Sequence, residues 1–295
     1  MASTIPWELL RTFLAVTKEG SLSAAARALG TTQPTVGRHV SALEEQVGIA
    51  LFTRSQLGLL PTDAALELRR YAESMESTAA AFERAATSHG STPKGTVRVT
   101  ASEVMAAEVL PPIVGELRQQ QPALKVELVA TNRVQDLLRR EADIAVRMTA
   151  PLQGELVARR VGAVELGLHA HRDYLGRRGI PKDRSELKGH DLIGYDQVTE
   201  FIRNAGKAIP EFTRDLFSVR SDSDLVQLAL IREGAGIGIC QVPIARRDPC
   251  LRRVLPAEFL LHLDIWITMH GDLRSSPRCR AMFDALVSGL QRYLG

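Results

Sequence analysis

The sequence predicts an all-α head carrying a small β wing, then a long connecting helix, then an α/β body. Three observations carry that reading. Over the first fifty positions apolar residues recur at helical spacing, with breaks at Gly20 and Gly30. Leu68, Met75 and Phe82 recur every seven residues. From Thr96 onward β-rich runs alternate with helical segments. A chain of 295 residues exceeds what one core usually supports, and 45% hydrophobic residues suffice to fold two or three domains.

The first helix runs from Trp7 to Lys18, with Leu10, Phe13, Leu14, Ala15 and Val16 at helical spacing and Gly20 as its stop. Ser21 suits the N-cap of a second helix with a buried stripe of Leu22, Ala25, Ala26 and Leu29, ended by Gly30. Thr32 caps a third, where Pro34 is tolerated because first-turn amides have no acceptor within the helix.

In this third helix Val36, Val40, Leu43 and Val47 form one narrow apolar stripe, while Pro34, Arg38, Ser41, Ala42 and Glu45 point the other way. Helix, glycine turn, helix with a thin polar outer face is the shape of a helix-turn-helix, whose second helix enters the DNA major groove. Arg38 can reach a guanine edge or a phosphate and Gln33 an adenine edge; Pro34 and Thr35 can touch thymine methyls. An amphipathic surface helix with one solvated Arg would show the same pattern.

Leu51 to Arg54 and Leu59 to Pro61, joined by a turn at Gln56-Leu57-Gly58, predict a two-stranded wing that sets Arg54 at a phosphate. Thr62 and Asp63 cap a long helix to about Thr87, roughly 39 Å at about 1.5 Å per residue. Its seam of Leu68, Met75 and Phe82, with Ala72, Ala79 and Ala86 beside it, predicts a coiled coil with a second copy or packing on its own domain.

SHGSTPKG, residues 88–95, breaks the composition as a hinge would. Beyond it TVRVTAS, KVELVA and ADIAVRM read as strands, with helices over Leu110 to Leu117 and Val134 to Leu138. The expectation is a parallel sheet whose ligands lie at the carboxyl ends of strands, hence Ser102, Thr131, Asn132, Met148 and Thr149 as candidates. A second lobe starts near Val164, with DLIGYD and FSVRSD as strands and Ser221 or Ser223 capping a helix through Ile231. Helix N-termini at Ser102 and Ser221 can bind a carboxylate, though Ser, Thr and Asn are also ordinary cap and turn residues.

WELLRTFLAVTKEGSLSAAARALGTTQPTVGRHVSALEEQVGIALFTRSQLGLLPTDAA resembles the N-terminal domain of LysR-type transcriptional regulators, and the likeness extends to Gly295. The resemblance implies that Thr32, Gln33, Pro34, Thr35, Arg38 and Ser41 face DNA and that Arg54 makes the wing's backbone contact. It also implies a two-lobed effector domain similar to periplasmic binding proteins, with Tyr195 and Gln197 on the far side of the interlobe cleft and the chain crossing back near Asp264. The expected division is a winged helix-turn-helix domain over 1–62, a dimerisation linker helix over 63–87, a hinge over 88–95 and an effector domain over 96–295. Within the last, lobe one takes about 96–163 and 265–295 and lobe two about 164–264. Three positions depart from the family pattern: Gly37 where a Ser usually precedes the Arg, Ala65 in place of a common Gly, and SQLGLL without a basic wing tip.

Implied partners are double-stranded DNA, a small-molecule effector such as an organic acid, a second copy in a dimer or dimer of dimers, and RNA polymerase. Met148 also admits an aromatic effector. Other readings are a small-molecule binding protein without a regulatory role and a non-specific nucleoid protein. The net charge of +3 permits a polyanionic partner without implying one. Residues 1–62 set five cations against four carboxylates, a net of +1, so affinity for DNA should rely on several subunits.

MASTIPWELLRTF has no basic segment followed by an apolar one, and no apolar run would span a bilayer, so a soluble cytoplasmic protein is expected. Cys240, Cys250 and Cys279 lack metal-ligand spacing, and His169 and His171 share a strand face without a third ligand nearby, so no metal or other cofactor is expected. Cys240 is a candidate redox switch or an inert thiol. GAGIG at 234–238 follows a helix and precedes a strand, the reverse of a dinucleotide loop, and no GxSxG elbow occurs, so an enzyme is not indicated.

Overall fold

The computed structural model describes residues 5–55, 58–86, 92–132, 141–151, 156–199, 202–203 and 212–295. Chain contacts divide it into one compact unit of Met1–Glu83 with Arg139–Glu141, and a second of Arg84–Leu138 and Ala142–Gly295.

In the first unit α1 (Trp7–Glu19), α2 (Leu22–Leu29) and α3 (Gln33–Val47) follow one another through glycine stops. Gly20 and Gly30 end their helices at φ +68° and +64°, a conformation that side chains with a Cβ resist. The Ser21 hydroxyl accepts from the Ala24 amide at 3.2 Å, a working N-cap. Thr32 occupies the cap position of α3 but makes no capping bond; its hydroxyl lies 2.9 Å from that of Thr35. Leu9, Phe13, Leu14, Leu43 and Leu51 make one cluster, and Val16, Ala25, Ala26, Val36 and Val40 a second. Leu10, expected inside, is only half-buried, whereas Leu9 and Thr12 are buried. Thr12 is tolerated because its hydroxyl donates to the Glu8 carbonyl at 2.8 Å and meets His39 Nδ1 at 2.9 Å, which ties α1 to α3. Ala42, expected on the outer face, packs half-buried against the first cluster.

The wing pairs β1 (Phe52–Ser55) with β2 (Gly58–Pro61) in antiparallel register. Leu51 lies outside the strand as a core residue, 1% exposed. Glu44 fixes the entry to β1: one carboxylate oxygen accepts from the amides of Leu51 and Phe52 at 2.7 and 3.1 Å. Gly58 anchors the return at φ +119°, close enough to Gly20 that an added Cβ would stand 2.7 Å from its carbonyl oxygen. That carbonyl accepts from the Leu59 amide at 3.0 Å. α4 (Asp63–Ala86) is capped by Thr62, whose hydroxyl accepts from the Ala65 amide at 3.2 Å. Its 24 residues span about 36 Å. Leu68 and Ala72 pack on the head, while Leu66, Tyr71, Met75 and Phe82 stand exposed, Phe82 at 74%.

The second unit is one nine-stranded sheet folded into two lobes. Gly95, expected in the hinge, is the first residue of β3 (Gly95–Ala101); the other strands of lobe one are β4 (Leu124–Ala130) and β5 (Ile144–Arg147), both parallel to β3. Between β3 and β4 the helical run from Glu103 includes a π-turn at Met105–Val109 and continues as α5 (Leu110–Gln120). The helix expected over Val134 to Leu138 lies outside the described residues. The sixteen-residue β6 (Leu156–His171) runs through both lobes, followed by α6 (Arg172–Arg178).

Lobe two holds β7 (Leu192–Gly194), β8 (Val219–Arg220), α7 (Asp224–Arg232), β9 (Ile237–Gln241), α8 (Val242–Ala245) and β10 (Leu251–Val254). The chain returns through β11 (Leu261–His270) and ends in α9 (Pro277–Leu294). The sheet is therefore mixed, not purely parallel. β6 and β11 run antiparallel to each other along ten pairs, with a bulge at Ile265/Trp266. A chain that leaves one lobe and comes back must run against itself.

Candidate functional sites on the third helix and in the interlobe cleft

The outer face of α3 is uncovered. Thr32, Gln33, Pro34, Arg38 and Ser41 are exposed and Thr35 half-buried, while Val36, Val40 and Leu43 anchor the helix from behind. Arg38 Nη2 lies 3.5 Å from the Thr35 hydroxyl, one turn back, and Gln33 Oε1 accepts from Ser23 Oγ at 3.0 Å. These bonds hold a forked cation and an amide side by side at the start of the helix, the donors and acceptors that a major-groove edge requires. Gly37 is half-buried, and a Cβ there would touch Leu22 at 3.8 Å. The departure from Ser therefore falls where α2 and α3 meet. Arg54 sits in β1 opposite Leu59, but its side chain lies outside the described residues.

In the second unit a cavity of about 480 Å³ opens between the lobes. Ser102, Thr131, Asn132, Met148 and Thr149 line it from lobe one and Tyr195 and Gln197 from lobe two, because each follows a strand that points into the cleft. Ser221 does not line it. The helix begins at Asp224 with Ser223 in the cap position, and Ser221 lies beneath, its hydroxyl accepting from the Ser223 amide at 3.2 Å and its carbonyl from Gln227 Nε2 at 2.6 Å.

The sequence reading missed three charged groups of the lining, Arg147, Asp222 and Asp224. Arg147 ends β5 and lines the cavity while donating to Thr100 Oγ1 at 2.9 Å and to the Val146 carbonyl at 3.0 Å; burial lowers its pKa to about 10. Asp224 keeps an exposed surface on the cleft, yet the protein packed around its carboxyl raises it to about 6, with the charge of Glu103 adding to the effect. The apolar wall was missed as well: Phe212 and Phe217 belong to an aromatic cluster with Tyr195, whose ring stands edge-on to Phe217 at 5.0 Å. Cleft-lining aromatics carry no sequence signal that separates them from core ones.

Cys240 reaches the same cavity and lies 3.3 Å from His169 Nδ1. Burial pushes the thiol up to about 12 and His169 down to about 4, so neither a thiolate nor an imidazolium forms at neutral pH. The histidines are satisfied locally: His169 bonds the Gly167 carbonyl at 2.9 Å, and His171 accepts from the Asp173 amide at 3.1 Å. Among the described residues no group of His, Cys, Asp or Glu could hold a metal, and no helix is long and apolar enough to cross a membrane.

A winged helix-turn-helix followed by a two-lobed ligand-binding domain defines a DNA-binding transcriptional regulator. The family "Bacterial regulatory helix-turn-helix protein, lysR family" matches residues 7–66, and "LysR substrate binding domain" matches residues 90–291. The chain belongs to the LysR family of transcriptional regulators. It is 28% identical over 293 residues to an HTH-type transcriptional regulator of Xanthomonas campestris pv. campestris, covering 94% of this chain and 83% of that protein. It is likewise 28% identical over 236 residues to the transcriptional activator AaeR of Escherichia coli, covering 79% of this chain and 75% of that protein. The full-length structure of CbnR complexed with its target DNA shares the fold, with a TM-score of 0.68 at 18% identity over 96% of this chain and 99% of that one. The virulence activator AphB of Vibrio cholerae gives a TM-score of 0.62 at 20% identity, over 96% and 99%. These relatives are regulators, not enzymes, and lend no support to a binding protein without a regulatory role or to a non-specific nucleoid protein.

Proposed function

We propose that the chain reads an operator in the cytoplasm through Thr32, Gln33, Pro34, Thr35, Arg38 and Ser41, with Arg54 of the wing on a phosphate, and that an effector in the interlobe cleft controls that binding. In this reading residues 1–62 form the DNA-binding domain, 63–87 the dimerisation helix, 88–94 the hinge and 95–295 the effector domain, which begins with Gly95 in β3. The observation that carries the DNA reading is the bare Arg38 face of α3 backed by Val36, Val40 and Leu43. The target DNA in the CbnR complex supports it. Exposed Met75 and Phe82 on α4 provide an apolar seam for a second copy, which would double the reading heads as a dimer or dimer of dimers.

The effector contacts Ser102, Thr131, Asn132, Met148, Thr149, Tyr195 and Gln197, while Ser221 supports the loop beneath. A cavity of about 480 Å³ falls in the usual range for small-molecule sites. Ligand binding shifts the lobes between arrangements, which alters half-site spacing or DNA bend and so the recruitment of RNA polymerase. Footprinting on a selected operator tests this. Arg38→Ala should erase protection with the fold intact, and a cleft ligand should move its boundaries. Unchanged protection by Arg38→Ala refutes the assignment of the reading helix.

A further inference from the structure

The electrostatics of the interlobe cavity run against an anionic ligand at its helix N-termini. Two helices begin there from opposite lobes, and each is headed by a carboxylate of the chain itself, Glu103 in one and Asp224 in the other. The attraction such N-termini exert on anions is already taken up. The Glu103 amide is occupied by Asn132 Oδ1 at 3.1 Å. The Glu103 carboxylate accepts from Ser223 Oγ at 2.5 Å, across the lobes. Asp224 receives only a long bond from Asn132 Nδ2 at 3.4 Å. No Lys, Arg or His among the described residues pairs with either carboxylate.

Among the described residues, Asp222 from the loop before α7 and Arg147 across the cavity line it beside Asp224, while Glu103 from the α5 run acts on Asp224 without itself lining the cavity. Asp222 is committed to the amides of Asp196 and Gln197, at 3.0 and 2.8 Å. Arg147 is engaged with Thr100 Oγ1 and the Val146 carbonyl and disfavours a cation at its own end. Elsewhere the wall mixes uncharged polar groups, among them Gln197, Gln227 and Gln241, with an apolar stretch that includes Tyr195, Phe217, Leu261 and Leu263.

We propose that the effector of this cleft bears a protonated amine, seated between Glu103 and Asp224, on an apolar or aromatic body packed against Tyr195, Phe217, Leu261 and Leu263. An ammonium has three donors and no acceptor, which matches two carboxylates with the hydroxyls of Ser102 and Thr131 on the same wall. It supplies a counter-charge that no described residue gives to either carboxylate, and its body displaces water from the aromatic side. Because Glu103 and Asp224 come from opposite lobes, the same cation bridges them. This inference rests on the reading of the cleft as the effector site.

The test is calorimetric titration of the full chain at pH 7.5 and pH 5.0. The probes are phenethylamine, tyramine and isoamylamine, set against the acids of matched body: phenylacetate, 4-hydroxyphenylacetate and 4-methylpentanoate. At least one amine is expected to bind, with affinity at least tenfold above its matched acid. Asp224→Asn should weaken it at least tenfold. Affinity should fall about tenfold at pH 5.0, where a carboxyl with pKa of about 6 is mostly protonated. Acids that bind as tightly as amines, amine binding unchanged in Asp224→Asn, or no response to any amine each overturn the proposal. The two levels are separable by footprinting: an acid that binds and moves the footprint defeats the amine assignment and leaves the regulator reading standing. An amine that binds through Asp224 without moving the footprint does the reverse.

Discussion

Asp143 offers a sharp test of a buried ion cluster inside the second unit. It is 2% exposed and lies against two guanidiniums, those of Arg84 in the last turn of α4 and Arg278 in α9, exposed 9% and 2%. One carboxylate oxygen accepts from Arg84 Nε at 3.2 Å and from the Arg98 amide at 2.8 Å, while the other lies 3.8 Å from Arg278 Nη2. Asp143→Asn keeps an acceptor for the Arg98 amide but removes the charge both cations share. Breaking a buried ion pair at one partner costs about 3–5 kcal/mol. Asp143→Ala removes the acceptor too, for about 1–2 kcal/mol more. Adding Arg278→Met to Asp143→Asn removes one of the two cations that lose this carboxylate and should recover part of the loss. The assay is guanidinium unfolding followed by Trp266 fluorescence in a Trp7→Phe background, so that the remaining tryptophan reports on the effector unit alone. A loss below about 1 kcal/mol in Asp143→Asn would refute the reasoning.

Four further outcomes follow from the same geometry. Arg38→Ala should weaken operator binding by about 1–3 kcal/mol per half-site, read by gel shift, with an unchanged melting temperature; equal affinity counts against a base-edge contact. Gly58→Ala forces a side chain into φ +119° and against the Gly20 carbonyl, so the head should lose about 2 kcal/mol by Trp7 fluorescence; a neutral result would mean the wing is not clamped there. Asp224 has a raised folded-state pKa, so its contribution is present at pH 4 and is lost as pH rises through about 6. Asp224→Asn should therefore add about 1 kcal/mol at pH 7.5, a figure reduced for contact with cleft water, and little at pH 4; scanning calorimetry at the two pH values checks the sign. Phe82→Glu, at a side chain 74% exposed, should shift the full chain toward monomer in light scattering if α4 pairs with a second copy.

The head was legible because its signals are local. Ser21, Gly20 and Gly30 act within one turn of where they stand, and the stripe of Val36, Val40 and Leu43 follows from helical period alone. What failed there was contact-dependent: Thr12 is buried because His39, twenty-seven residues away, meets its hydroxyl, and Leu9 displaces Leu10 because the clusters, not the period, choose between neighbours. In the effector body the rule that ligands gather after strands led to five cavity-lining residues, and the family resemblance added Tyr195 and Gln197. Ser221, chosen as a helix N-terminus with Ser223 as the alternative cap, falls outside the lining because the helix starts at Asp224 and Ser223 takes the cap position. The parallel-sheet expectation failed at β6 and β11, whose antiparallel pairing comes from the return of the chain across both lobes.

The electrostatic character of the cleft was out of reach for a further reason, and the reason bears on control. Glu103 and Ser223 are 120 residues apart, Asn132 and Asp224 are 92 apart, and neither pair leaves a pattern in sequence. Both bonds cross from lobe one to lobe two, as does the bidentate pair of Arg232 with Glu108 at 2.7 and 2.9 Å. The Arg232–Glu108 bonds join opposite charges and favour the observed lobe arrangement by themselves. The Glu103–Asp224 corner sets like charges against each other and opposes it. A ligand moves such an equilibrium only by its differential affinity for the two arrangements. A cation at the corner has that property, because its attraction to both carboxylates grows as the lobes approach while their mutual repulsion is screened. Effector charge and lobe angle are thereby coupled through the same two side chains.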